Sequence, residues 1–143
     1  MNLKIGVVCS MFNRPVTEKL EQGALQALRD NGLQPEQIVS VQVPGALEIP
    51  LAAKALLESG VSGVVAVGAV IRGETTHYES VCEGVERGCS QLQLDYMRPV
   101  GNGVVTTENA EQAYARCGGA KGNKGAEAAQ VTLEMIETIN RIL

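Results

Sequence analysis

Four short, near-continuous apolar runs constrain the fold of this chain more than any other feature: residues 3–9 (LKIGVVC), 38–43 (IVSVQV), 63–70 (GVVAVGAV) and 100–106 (VGNGVVT). Apolar runs of this length without alternation suit strands buried on both faces, the situation in a parallel sheet covered by helices above and below. The stretches between them carry the period of amphipathic helices. Val16, Leu20, Ala24, Ala27 and Leu28 recur at three-to-four spacing, as do Ile49, Ala53, Leu56 and Leu57. The longest stripe is Tyr78, Val81, Cys82, Val85, Cys89, Leu92 and Tyr96, and a last one holds Ala129, Leu133, Ile136, Ile139 and Leu143. Strand and helix therefore alternate from end to end. Right-handed crossovers turn that alternation into a three-layer α/β fold, with helices on both faces of a mainly parallel sheet. At 143 residues, 45% of them hydrophobic, one domain over residues 1–143 is expected.

Charge and cysteine pattern exclude several classes of function. The net charge is −4 and the basic residues are scattered singly, which leaves no groove for nucleic acid and no patch for an anionic membrane. The expected partner is a small molecule or another subunit. No apolar run reaches the roughly 18 residues of a membrane span, and the start MNLKIGVVCS lacks a leader's cleavage pattern, so a cytoplasmic location is expected. Cys9, Cys82, Cys89 and Cys117 form no CxxC pair. The single histidine, His77, has no Cys or His neighbour at ligand spacing, so no metal is expected. Cys82 and Cys89 would lie about 10 Å apart along one helix, too far for a disulfide, and four reduced thiols are expected.

In parallel sheets ligands bind beyond the carboxyl ends of the strands, which directs attention to residues 10–15, 44–48, 71–77 and 106–109. The segment 71–77 (IRGETTH) leaves the third strand and enters the longest helix, with Thr75 and Thr76 as capping candidates. Free backbone N–H groups at such a helix start favour a phosphate. His77 follows in the first turn, where the helix dipole favours a neutral, proton-accepting imidazole. Phe12, the only phenylalanine, stands at the exit of the first strand and could face a planar heterocycle. Residues 43–50 (VPGALEIP) put Glu48 at a helix start, as a cap or as an acceptor for ligand N–H groups. Arg116 ends a short helix, and Lys124 lies in the glycine-dense segment 118–125 (GGAKGNKG), which reads as a hinge or turn between two helices. Two cations flanking flexible backbone can grip a phosphate. Each residue alone also has a plainer reading: surface histidine, core phenylalanine, helix cap, solvated cations.

Taken in order, these pieces resemble the lumazine synthase family along nearly the whole chain. The pieces are Phe12 with Asn13, residues 43–48 (VPGALE), residues 68–77 (GAVIRGETTH), residues 106–109 (TTEN), Arg116 and residues 122–125 (GNKG). The resemblance implies a flavodoxin-like sandwich with a four-stranded sheet. It implies a cofactor-free transferase that condenses 5-amino-6-(ribitylamino)uracil with 3,4-dihydroxy-2-butanone 4-phosphate, giving 6,7-dimethyl-8-ribityllumazine in riboflavin biosynthesis. It makes His77 the proton-transfer residue and Phe12 the face that stacks on the pyrimidinedione. Ala46, Leu47, Glu48, Ala69, Val70 and Ile71 would meet that substrate's polar edges and ribityl chain. The backbone of Glu74 and Thr75 would hold the ketone phosphate, with Arg116 neutralising it and Lys124 nearby. It further implies a homo-oligomer, a pentamer or a multiple of pentamers up to closed shells. In this arrangement Phe12, Glu48, Thr75 and His77 come from one subunit, and Asn102, Arg116 and Lys124 from its neighbour. The chain departs from the family pattern in three ways. Asn102 stands where many members have an aromatic, Glu74 puts a carboxylate beside the phosphate locus, and the sequence starts almost directly at the first strand. Two other readings share the architecture: a riboflavin synthase of the archaeal type, and a non-catalytic shell or ligand-binding protein.

Overall fold

A computed structural model of the chain describes residues 3–73 and 77–143. Its strands and helices are β1 (Ile5–Ser10), α1 (Arg14–Asp30), β2 (Ile38–Val43), α2 (Ile49–Glu58), β3 (Gly63–Ile71), α3 (His77–Tyr96), β4 (Val100–Thr107), α4 (Ala110–Ala115), β5 (Cys117–Gly119), β6 (Gly122–Asn123) and α5 (Lys124–Ile142). Short 3-10 turns at Pro35–Gln37 and Ala46–Glu48 precede β2 and α2. Each apolar run of the sequence becomes one strand of a four-stranded sheet ordered β2-β1-β3-β4, and every pairing in it is parallel.

The period of two along a strand sorts the core into two halves. Ile5, Val7 and Cys9 of β1 and Val65 and Val67 of β3 turn to one face, where they meet Val16, Leu20, Ala24 and Leu28 of α1 and Ala128 and Ala129 of α5. Val8, Val64 and Ala66 turn to the other, against Ile49, Ala53, Leu56 and Leu57 of α2 and Val81, Val85 and Cys89 of α3. The result is the three-layer, flavodoxin-like sandwich that the alternation implies. Leu20, Leu28, Ile49 and Leu57 are essentially inaccessible, and burial of each such side chain contributes about 1.5–3 kcal/mol.

Close packing of helices on the sheet depends on missing side chains at particular places. A Cβ on Gly101 of β4 would come within 2.2 Å of the Thr132 hydroxyl and 2.6 Å of the Ala128 carbonyl, so α5 can lie on β4 only because that position is glycine. Gly125 is tighter still, since a Cβ there would lie 2.1 Å from the Leu20 carbonyl where α5 crosses α1.

Two details depart from the sequence pattern. The glycine-dense segment is more than a turn: β5 and β6 pair antiparallel as a small hairpin, with Gly118 and Gly122 at φ of 114° and 80°, and Lys124 begins α5. Glycine alone takes such backbone angles without strain. The terminal helix outruns the sheet, so Leu143, the last residue of the apolar stripe, is 88% exposed.

Candidate active site

The order β2-β1-β3-β4 contains a reversal. From β1 the chain moves outward to β2, then returns past β1 to β3 and continues to β4. The connections leaving β1 and β3 therefore diverge, and a crevice opens between them at the carboxyl ends of the strands. A cleft of about 420 Å³ occupies this place, lined by Phe12 and Asn13 after β1, residues 45–48 after β2, Ala69, Val70, Ile71 and Gly73 from the end of β3, and His77, Tyr78 and Val81 of α3.

The β1 exit is held from several sides. The N–H groups of Met11 and Phe12 donate to the carbonyls of Val43 and Pro44 at 2.8 and 3.1 Å, which extends the β1–β2 ladder past the strand ends. Asn13 takes a left-handed conformation, φ 65° and ψ 46°, and its side-chain amide donates to the Ala69 carbonyl at 3.3 Å. Asparagine tolerates that region better than most residues. Pro15 in the first turn of α1 supplies a backbone angle already suited to a helix. Behind the corner, the buried Glu21 carboxylate accepts from the half-buried Arg14 at 3.0 Å and from Gln42 at 3.0 Å. These ties fix the backbone while Phe12 as a residue stays 73% exposed, so it is not a core residue.

Glu48 folds back over its own turn, and its carboxylate accepts the Gly45 N–H at 2.8 Å. That bond closes the 3-10 turn at Ala46–Glu48 and orders residues 45–48 along the cleft wall, while the Glu48 side chain makes no cap bond to α2 itself. On the opposite wall, burial pushes the Tyr78 phenol above its ordinary range, against a hydrogen bond with Thr106 that pulls it down. It stays protonated at neutral pH.

Arg116 and Lys124 lie elsewhere. Together with Lys121, Glu127 and residues 104–106 of β4 they line a second depression of about 300 Å³. One arm of the Arg116 guanidinium donates to the Gln112 carbonyl at 2.8 Å, at the end of α4, and the Arg116 carbonyl accepts the Lys124 N–H at 2.8 Å. Asn102 sits on β4 opposite Ala66 of β3, with an exposed side chain whose oxygen accepts the Val104 N–H at 3.0 Å. Among the described residues, no group of three His, Cys, Asp or Glu side chains could hold a metal ion. Nor is any helix among them long and apolar enough to cross a membrane.

A sequence model of 6,7-dimethyl-8-ribityllumazine synthase matches residues 2–140. The chain belongs to the lumazine synthase family. The lumazine synthase of Bdellovibrio bacteriovorus is 55% identical over 134 residues, covering 94% of this chain and 74% of that protein. That of Coxiella burnetii is 51% identical over 142 residues, 99% of this chain and 94% of its relative. That of Desulfovibrio desulfuricans is 43% identical over 141 residues, 98% and 90% of the two chains.

The residues that the lumazine synthase resemblance singles out fall into two groups in this fold. Phe12, Ala46, Leu47, Glu48, Ala69, Val70, Ile71 and His77 share the cleft, while Arg116 and Lys124 share the second depression and Asn102 lines neither. The expectations for Glu74 and Thr75 lie outside the described residues, as does the capping expectation for Thr76. Tyr78 and Val81 read in the sequence as part of a core stripe, yet both line the cleft. The signal for Val81 was available: it stands four positions after His77 and three after Tyr78, and so neighbours both on the helix surface.

Proposed function

We propose that this chain condenses 5-amino-6-(ribitylamino)uracil with 3,4-dihydroxy-2-butanone 4-phosphate to 6,7-dimethyl-8-ribityllumazine, with release of phosphate and water. One observation carries the reading. Phe12, Glu48 and His77, delivered by three different strand exits, line one cleft at the reversal of the sheet in a chain of the lumazine synthase family. The pyrimidinedione lies on the Phe12 ring, with its polar edges against residues 46–48 and 69–71. Its free amine attacks the ketone carbonyl, and loss of water leaves a Schiff base. Proton removal beside the new C=N bond then expels the phosphate, the resulting enol tautomerises to a ketone, and attack on that ketone by the ribityl-bearing nitrogen closes the second ring with loss of a second water.

His77 moves protons in these steps, a contribution of roughly 10²–10⁴-fold at most. Holding amine and ketone together contributes more, several kcal/mol of the barrier expressed as effective molarity. The leaving phosphate requires positive charge. The backbone of Glu74 and Thr75 is assigned its first contacts, and Arg116 with Lys124 its charge. Both cations line a depression along β4 that shares no residue with their own chain's cleft, and they are assigned to the cleft of an adjacent subunit in a ring, taken as a pentamer or a multiple of one. The protein is assigned to the cytoplasm, without a cofactor. The test is incubation with both substrates while lumazine absorbance and free phosphate are followed. One phosphate released per lumazine is the expected result, and a folded protein that leaves both substrates unchanged overturns the reading.

A further inference from the structure

Arg72 does not line the cleft, but it stands one residue past β3, at the base of the segment that leads to His77. Its backbone N–H donates to the Thr107 carbonyl at 2.8 Å, joining the exits of β3 and β4. Its guanidinium Nε lies 2.8 Å from Oε1 and 3.0 Å from Oε2 of Glu108, just beyond β4. Its Nη1 lies 2.5 Å from the Glu79 carboxylate in the first turn of α3. The central carbon of the same group lies over the Tyr78 ring, 4.4 Å from its centroid. One cation thus holds three pieces of backbone that the chain reaches separately, and the two side chains it grips on α3 directly follow His77.

An exposed ion pair by itself contributes little to stability. A planar fork that holds two carboxylates while its face lies on an aromatic ring is different, because few geometries satisfy all three partners at once. The Arg72 hydrogen bond holds the Glu79 carboxyl below the usual carboxylate range, so the pair stays charged in the neutral range. The outcome of such a clamp is orientation more than stability.

We propose that Arg72 is a positioning residue, which sets the first turn of α3, and the His77 imidazole with it, against the exits of β3 and β4. This role rests on the lumazine-forming reaction given above. The test is a cycle of Arg72→Gln and His77→Asn, singly and together, with kcat and KM measured for both substrates. Arg72→Gln should lower kcat roughly 5- to 20-fold, within the range that a misplacement of about an ångström produces, with each KM changed less than about twofold. Arg72→Lys, which restores charge but not the fork or the flat face, should recover only part of the loss. In the His77→Asn background, Arg72→Gln should cost less than about twofold, because the group it positions is gone. Glu108→Gln, which cuts the clamp from its other side, should reproduce the kcat loss even if Arg72→Gln folds poorly. An unchanged kcat, a selective rise in KM for the ketone phosphate, or an undiminished loss in the His77→Asn background would each overturn the role. Absence of lumazine formation by the unaltered chain would overturn the reaction itself, whereas full activity in both clamp variants would overturn the role of Arg72 alone.

Discussion

At 73% exposure Phe12 forgoes most of the burial an aromatic side chain normally gains, while its backbone N–H is fixed by Pro44 and the next residue is tied to Ala69. A flat ring held in solvent by ordered backbone is preorganised for a planar ligand, and little ordering cost remains when that ligand arrives. In the proposed shared site Asn102, whose amide oxygen accepts the Val104 N–H, supplies no aromatic second face. Asn102→Phe should therefore tighten pyrimidine binding by about 0.5–1.5 kcal/mol, roughly two- to tenfold in Kd. Calorimetric titration with the pyrimidine checks this, and an unchanged Kd would remove Asn102 from the site. Burial, aided at Cys9 by Glu21, pushes the Cys9 and Cys89 thiols up to about 11, so neither supplies a thiolate at neutral pH. In the proposed reaction proton transfer is assigned to His77. His77→Asn should lower kcat roughly 10- to 100-fold without abolishing turnover, because positioning survives. Complete inactivity in a folded variant would assign His77 a larger part.

Among the elements, those most legible in the sequence were the ones whose apolar pattern is dictated by burial on both sides. Residues 3–9 and 63–70 could hardly form anything but interior strands, and they do. The β5–β6 hairpin was not legible, because strands of three and two residues carry no periodicity and their glycines signal only a turn. In the site, the exits bearing Phe12, Glu48 and His77 were legible from strand polarity. The Arg72 clamp was not, since its partners lie 7 and 36 positions away, and it takes the register of β3 against β4 for Glu108 and the placement of α3 for Glu79 to bring them to Arg72. The contact of α1 with α5 at Gly125 was hidden for a similar reason, as a glycine next to a turn reads as part of that turn. Its actual role is to admit the Leu20 carbonyl, so Gly125→Ala should destabilise the fold by about 1–3 kcal/mol. A Tm lower by roughly 3 °C or more is expected in calorimetry. An unchanged Tm would mean that α1 and α5 can separate without penalty.

For the whole molecule, the separation of Arg116 and Lys124 from the cleft makes a prediction that no single chain can satisfy. If each site joins the cleft of one subunit to the β4 depression of the next, the contact is head-to-tail and ring closure is a condition of catalysis. His77→Ala and Arg116→Ala subunits, unfolded together and reassembled in equal amounts, should form rings in which about one interface in four carries neither mutation. Activity near a quarter of the unmutated level is expected, against little for the same variants mixed without unfolding. No gain in rings shown by mass spectrometry to be mixed would remove Arg116 from the shared site.

The sheet order has a consequence for how the chain is made. Of the four strands of this sheet β1 comes first along the chain, yet it is an interior strand of the finished sheet, and its partners begin only at residues 38 and 63. All its pairings are long-range, the kind that slow folding. At ordinary rates of translation the second partner follows on the order of several seconds later. During that interval a segment fully buried in the mature protein has no sheet to enter. On a messenger read by several ribosomes at once, it is the strand of this sheet with the most time to meet its twin on a neighbouring nascent chain.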